Sequence, residues 1–243
     1  MTDEKKSATA SLDALPENVR QRLDALRAEL QKAAGDELVA LIVFGSAARG
    51  GWRPGRSDVD VMVVVREDSR EVLERIGHPL LLARYAARVE AIVLRADEVS
   101  HAADVFPLLY DELKEDGVAL YGESPFASLH ITDKHRRLRI EQELREARIR
   151  LRRMVTDSDG SKPALAIAVE RKLRQVRSPL RALLKVMGTD PGVSLDAVLT
   201  AACAAFKIDQ AALTRAQEDP GAAYVSLTKL LGAAIDEADR LND

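Results

Sequence analysis

With 243 residues, 47% of them hydrophobic, the chain is long enough to bury one large core or two modest ones, and two domains are expected. A net charge of −3 gives no overall pull toward nucleic acid, and the single Cys203 excludes a disulfide framework within the chain. No apolar run nears the roughly 20 residues that cross a bilayer, and the start Met-Thr-Asp-Glu-Lys-Lys-Ser lacks an apolar signal core, so a cytoplasmic protein with no membrane partner is expected.

Residues 1–11 are small and polar, and a disordered tail is expected there. From Pro16 to Ala34, Val19, Leu23, Leu26 and Leu30 recur at spacings of four, three and four, one stripe of a helix that Pro16 opens and Gly35 closes. Glu37 to Phe44 follows as an apolar strand rich in β-branched residues and stopped by Gly45. Glycine there lets a phosphate approach the backbone, Ser46 adds a hydroxyl, and Ala47-Ala48-Arg49 can start one helical turn whose free N–H groups face an anion. Gly50, Gly51, Pro54 and Gly55 break the chain next, and Arg49, Arg53 and Arg56 stand on the loop either as phosphate neutralisers or as solvated charges. Trp52 reads first as a packing residue and second as a wall of a base or acceptor site, while Ser57 suits a phosphate contact or a strand cap equally. Asp58-Val59-Asp60 opens a second strand running to Val65, and the two-residue side-chain period puts both aspartates on one face with Cα atoms roughly 6.6 Å apart. Two convergent carboxylates beside a phosphate-binding turn form a hard-oxygen site suited to Mg²⁺ carrying a nucleoside triphosphate.

Taken together, Gly45-Ser46, Arg49-Gly50 and Ser57-Asp58-Val59-Asp60 resemble the signature of the nucleotidyltransferase superfamily that includes DNA polymerase β. Gly-Ser-Ala-x-x-Gly-Gly followed by Ser-Asp-x-Asp is similar to the aminoglycoside adenylyltransferases and the minimal bacterial nucleotidyltransferases, over roughly Leu38 to Gly122. The resemblance implies a third carboxylate on a later strand, and Arg88-Val89-Glu90-Ala91-Ile92-Val93-Leu94 supplies it as Glu90. It implies Mg²⁺ as cofactor on Asp58, Asp60 and Glu90, ATP or another nucleoside triphosphate as donor, and Glu90 as a general base. Dimerisation through the helical half is common among the related small transferases, and no residue here specifies it.

After Val65 the turn Arg66-Glu67-Asp68-Ser69 leads into a helical region up to Ala87, which Gly77 and Pro79 are expected to break in two. Val89 to Leu94 is the third strand; a glutamate among the apolar residues of a buried strand is expensive unless it meets a cation, which argues for Glu90 as a ligand, the alternative being an edge strand with Glu90 in water. Phe106 to Asp116 reads as a helix closed by Gly117, with Asp111, Glu112, Glu115 and Asp116 as a solvated face or, in one of them, a second base. Gly117-Val118-Ala119-Leu120-Tyr121-Gly122 is a short strand that also resembles the end of the transferase domain.

The expected organisation is α+β: a nucleotidyltransferase mixed-sheet domain over residues 12–123, a linker over 124–132, and an all-α helical bundle over 133–243. Asp133 to Met154 is a basic helix with Leu138, Leu144, Ile149 and Leu151 apolar, and Lys162 to Met187 a second, interrupted by Pro179. Helices near Ser194 to Phe206, Asp209 to Gln217 and Pro220 to Leu241 complete an acidic half. The basic helices either hold phosphates or an RNA acceptor, or pair with the acidic half.

These features lead to transfer of a nucleoside monophosphate, AMP from ATP in the first instance, onto an acceptor hydroxyl of a small molecule such as an aminoglycoside, of RNA or of protein. Aminoglycosides are cationic, so the basic helices weaken the case for that acceptor. The alternative is a non-catalytic, antitoxin-like binding protein that keeps the fold. An Arg-x(4–6)-His motif of the kind shared by HEPN ribonucleases is absent from the helical half, and its one match, Arg95 to His101, lies in the transferase half. His78, His101, His130 and His135 are scattered without ligand spacing, which argues against zinc.

Overall fold

The computed structural model describes residues 12–241; the expected disordered tail, residues 1–11, lies outside the described residues. The chain divides into two compact units, residues 1–130 and residues 131–243.

The first unit is built on a four-stranded mixed sheet of order β3-β2-β1-β4. A helix α1 (Glu17–Ala34) leads into β1 (Leu38–Phe44), and the single-turn helix α2 (Gly45–Ala48) follows directly. Next come β2 (Val59–Val65), α3 (Arg70–Ala87), β3 (Val89–Arg95), the short α4 (Glu98–His101), α5 (Pro107–Asp116) and β4 (Val118–Tyr121). β1 pairs antiparallel with both β2 and β4, whereas β2 and β3 run parallel, as a helical crossover through α3 requires. The apolar stripe of α1 and the inward residues Ile76, Ala83 and Ala87 of α3 cover the face that carries Leu41, Val43, Val61, Val63 and Val89. The opposite face carries Ile42 and Met62, both fully buried, and α5 lies against β1 there. Gly122 follows the last residue of β4, and its φ of +68° and approach to the Val39 carbonyl leave no room for a side chain.

Two expectations are corrected in this unit. α3 runs without interruption through Gly77 and Pro79. Pro79 removes one helical hydrogen bond, a cost of about 3 kcal/mol, yet its ring faces inward and is buried with Val72, Ile76, Ala83 and Ala87, so packing of the whole face holds the helix together. β3 is an edge strand and not a buried one: Ala91 and Ile92 are exposed, and the burial argument for Glu90 does not apply. In the stretch 124–132, Phe126 is fully buried edge-on against Tyr110, and the Lys114 ammonium donates to the Leu129 carbonyl at 2.8 Å.

The second unit is helical throughout: α6 (Asp133–Asp157), α7 (Lys162–Gln175), α8 (Arg177–Val186), α9 (Leu195–Phe206), α10 (Gln210–Thr214) and α11 (Pro220–Arg240). Thr132, Ser161, Ser194, Asp209 and Asp219 cap five of them through their side-chain oxygens, as their types predict. α11 supplies the interior with Leu227, Leu230, Leu231, Ala234 and Ile235, and packs on α6, α7 and α10. On α6 the inward stripe is Ile140, Leu144, Ala147 and Leu151, at spacings of four, three and four; the apolar Leu138 and Ile149 lie off it and are exposed. The break between α7 and α8 falls at Val176, three residues before Pro179, which places the proline ring in the first turn of α8 where no helical donor is lost. Many arginines of α6 pair along their own helix, Arg137 and Arg145 with Glu141, Arg139 with Glu143 and Arg150 with Glu146, and Arg145 also reaches Asp239 of α11. No helix among the described residues is long and apolar enough to cross a membrane.

Candidate active site

The site grows out of the junction of β1 and α2. Phe44 ends β1 and faces Asp60 in the antiparallel register, while Asp60 faces Glu90 in the parallel register of β2 and β3. The two carboxylates therefore sit side by side on the sheet face that also carries Ile42 and Met62. Asp58 stands one residue ahead of β2.

Gly45 has φ +69°, and a Cβ placed on it would lie 2.3 Å from Oδ2 of Asp60. The glycine thus makes room for the Asp60 carboxyl, a use of the residue that the sequence reading assigned to phosphate approach alone. The turn is closed by the Arg49 N–H to the Gly45 carbonyl at 3.3 Å and the Gly51 N–H to the Ser46 carbonyl at 2.9 Å. Burial pushes the Asp60 carboxyl up to about 6, Asp58 adds to that rise, Arg49 opposes it, and Glu112 and Glu90 raise it further. Negative charge is concentrated here beyond what the nearby arginine offsets.

Arginines hold the other carboxylates. Asp58 Oδ1 accepts from Nε of Arg88 at 2.8 Å and lies 2.8 Å from its Nη2, and Arg88 Nη1 also donates to the Gly55 carbonyl, tying the arginine loop to the end of α3. Arg84 Nε lies 3.2 Å from Glu90 Oε1. Both pairs are about half exposed. Among the described residues no three His, Cys, Asp or Glu side chains stand gathered for a metal, and Asp58 and Glu90 are each paired with an arginine. In kind the donor set suits a hard divalent cation: Asp58 and Asp60 at the start of β2 and Glu90 on β3 offer carboxylate oxygens, and burial and then Asp58 raise the Asp60 carboxyl, strain that a bound cation would relieve.

Arg49, a predicted phosphate contact, is turned to Glu112 of α5 at 3.1 Å, with the two side chains 12% and 14% exposed. Glu112 was grouped with a solvated face; the missed signal was its position four residues after the buried Leu108, which puts it on the inward side of α5. Ser57 accepts the Arg53 N–H at 3.1 Å and so closes the 53–57 turn. Trp52 packs partly against the core, and its indole N–H is buried without a partner among the described residues. Neither Arg84 nor Arg88 was singled out, although their i, i+4 spacing just before the Glu90 strand marks two cations on one side of a helix end. Replacing Arg49 by Gln is expected to raise the Asp60 pKa further and to lower stability by about 2 kcal/mol, between the values typical of exposed and buried pairs. Carboxyl carbon NMR across a pH titration, with urea unfolding alongside, checks both effects.

The sequence model of the nucleotidyltransferase domain matches residues 23–147, more than half of the chain. The chain belongs to this family. The nucleotidyltransferase domain model covers β1, the Gly45-Ser46 turn, β2 and β3. Among solved structures, the fold is similar to that of spectinomycin adenyltransferase AAD(9) from Enterococcus faecialis, solved with ATP and spectinomycin. The two share 14% identity at a TM-score of 0.52, over 92% of this chain and 99% of that one. No protein among curated sequences matches. The nucleotidyltransferase fold, an α+β sheet unit followed by a helical region, is thereby established for this chain.

Proposed function

We propose that this nucleotidyltransferase moves a nucleoside monophosphate, AMP from ATP in the first instance, onto an acceptor hydroxyl and releases pyrophosphate in a Mg²⁺-dependent reaction. One observation carries the reading: Asp60 is the register partner of Glu90, is charged against Asp58, and is lodged over Gly45 at the head of the turn. In this reading the N–H groups of the Gly45 turn and the Ser46 hydroxyl hold the leaving phosphates, and Arg49 and Ser57 border the same space. Glu90 takes the proton of the acceptor hydroxyl as its oxygen attacks the α-phosphorus. The bond from that phosphorus to the bridging oxygen breaks, and pyrophosphate leaves with the electron pair. Asp58, Asp60 and Glu90 are the residues that would hold Mg²⁺, which when bound would supply positive charge toward the α-phosphate and the acceptor hydroxyl. To serve as ligands, Asp58 and Glu90 would have to give up Arg88 and Arg84; half-exposed pairs of this kind are worth about 1 kcal/mol or less, so releasing them would cost little.

The ATP in the AAD(9) structure supports ATP as donor. Aminoglycoside-like small molecules, RNA and protein are the acceptor classes to assay, and a homodimer is a further expectation of this reading. The decisive test is calorimetric titration of ATP and GTP with and without Mg²⁺, beside the Asp58→Ala/Asp60→Ala variant. Metal-dependent ATP binding by the natural chain and at least about tenfold weaker binding by the variant is expected, because the charges that anchor the ion are gone. Absence of binding by both proteins would instead favour a binding protein that keeps the fold without the reaction.

A further inference from the structure

The helical unit contains a second charged site. A cleft of about 190 Å³ opens between α6, α7 and the start of α8, lined by Arg139, Glu143, Glu146, Arg150, Lys172 and Gln175. Val176 and Pro179 give it an apolar wall. Lys172 is 2% exposed, and among the described residues its ammonium has one partner, the Gln175 Oε1 at 2.6 Å. An ammonium carries three donors, and burying its charge against a single neutral acceptor is costly. Burial, Arg150 and Arg171 hold the Lys172 ammonium below the usual lysine range.

The carboxylates on the cleft are engaged by arginines of their own helix. Arg139 Nε donates to Glu143 at 2.8 Å, and Arg150 Nη2 to Glu146 at 3.1 Å. Two guanidinium groups and one ammonium against two carboxylates leave the cleft with one positive charge in excess. Its volume equals that of about six waters at about 30 Å³ each, enough for a group of several heavy atoms. A tetrahedral anion with several acceptor oxygens matches an ammonium at depth and arginines nearer the mouth.

We propose that this cleft binds the phosphate group of a small molecule, with Lys172 as its buried anchor and Arg139 and Arg150 closing over it. The site is independent of the nucleotidyl-transfer reading, and its test is run in EDTA so that metal-dependent nucleotide binding does not contribute. The full chain is titrated calorimetrically with inorganic pyrophosphate and, separately, with glucose 6-phosphate, against chloride at equal ionic strength. In parallel, acetylation of Lys172 by an amine-reactive reagent is followed by mass spectrometry with and without each anion.

Saturable binding of one of them, protection of Lys172 at least fivefold, and at least tenfold weaker binding by Lys172→Met are expected, with Asp58→Ala/Asp60→Ala unchanged. Binding of pyrophosphate alone identifies an inorganic anion as the occupant, and binding of the sugar phosphate identifies a phosphate ester. Unaltered binding in Lys172→Met, protection matched by chloride, or loss of binding in the aspartate variant overturns the proposal. If Lys172→Met does not fold, the protection of the natural chain decides alone.

Discussion

Asp60→Asn is expected to abolish nucleotidyl transfer while making the metal-free protein more stable. The carboxyl of Asp60 is pushed from 3.8 up to about 6 by burial and by Asp58, with Arg49 only partly opposing. A group whose folded pKa is raised in this way binds its proton more tightly in the native state than in the unfolded chain. Native stability therefore falls as pH rises from about 4 through about 6, and at pH 8 the ionised carboxylate costs roughly 3 kcal/mol. Asparagine keeps the shape and removes the charge. In urea unfolding with EDTA, Asp60→Asn should gain about 1–3 kcal/mol over the natural chain at pH 8 and almost nothing at pH 4. Pyrophosphate release from ATP with Mg²⁺ should fall by about 10³-fold or more, as expected when a carboxylate that anchors the reacting charges is lost. Equal stability of the two proteins at pH 8 would mean that the carboxylate is not strained by its surroundings. Retained pyrophosphate release would remove Asp60 from the reaction.

Gly45→Ala should damage the same site from the other side. The residue sits at φ +69°, where an L side chain costs about 1–2 kcal/mol, and its Cβ would fall 2.3 Å from the Asp60 carboxyl oxygen. Asp60 must swing away, so its position beside Glu90 is lost together with the turn's shape. A destabilisation of about 2–3 kcal/mol and a loss of about 10²-fold in transfer are expected. The two contributions separate in a double-mutant cycle. In an Asp60→Ala background, Gly45→Ala should cost only the backbone part, about 1–2 kcal/mol, because the clashing oxygen is absent. An unchanged cost in that background would show that the glycine serves backbone conformation alone.

Much of the fold was legible because its determinants are local. The period of four, three and four on α1, the β-branched run of β1, and the alternation after Asp58 each state their element directly. The pairing of Glu90 with Asp60 follows from a strand of the right length after a helical crossover. Strand order is not a local property, and no pattern in Val89 to Arg95 announces that β3 lies at the edge. The proline in α3 was misread because the rule weighs one lost hydrogen bond, whereas the helix is held by the burial of Val72, Ile76 and Ala83 around it. Ion-pair partners were the least legible feature. Whether Arg49 meets Glu112 depends on the packing of α5 against β1, and the hold of Arg84 and Arg88 on Glu90 and Asp58 depends on where α3 ends. Leu138 and Ile149 show the same limit: apolar type alone does not give a residue's side of the helix, and the phase set by Ile140, Leu144 and Leu151 turns these two out.

The edge position of β3 also sets how firmly the three acidic residues are tied together. Asp60 stands in a strand with a ladder on both sides, whereas Glu90 stands in one whose outer amides have no strand beside them. Hydrogen exchange should accordingly run fastest along the free side of β3 and slowest in β1 and β2, and brief openings of the sheet will begin at that margin. Each such opening parts Glu90 from Asp60 while leaving the Gly45 turn and Asp60 assembled, so the lifetime of the Asp60–Glu90 juxtaposition is governed by the single ladder between β2 and β3.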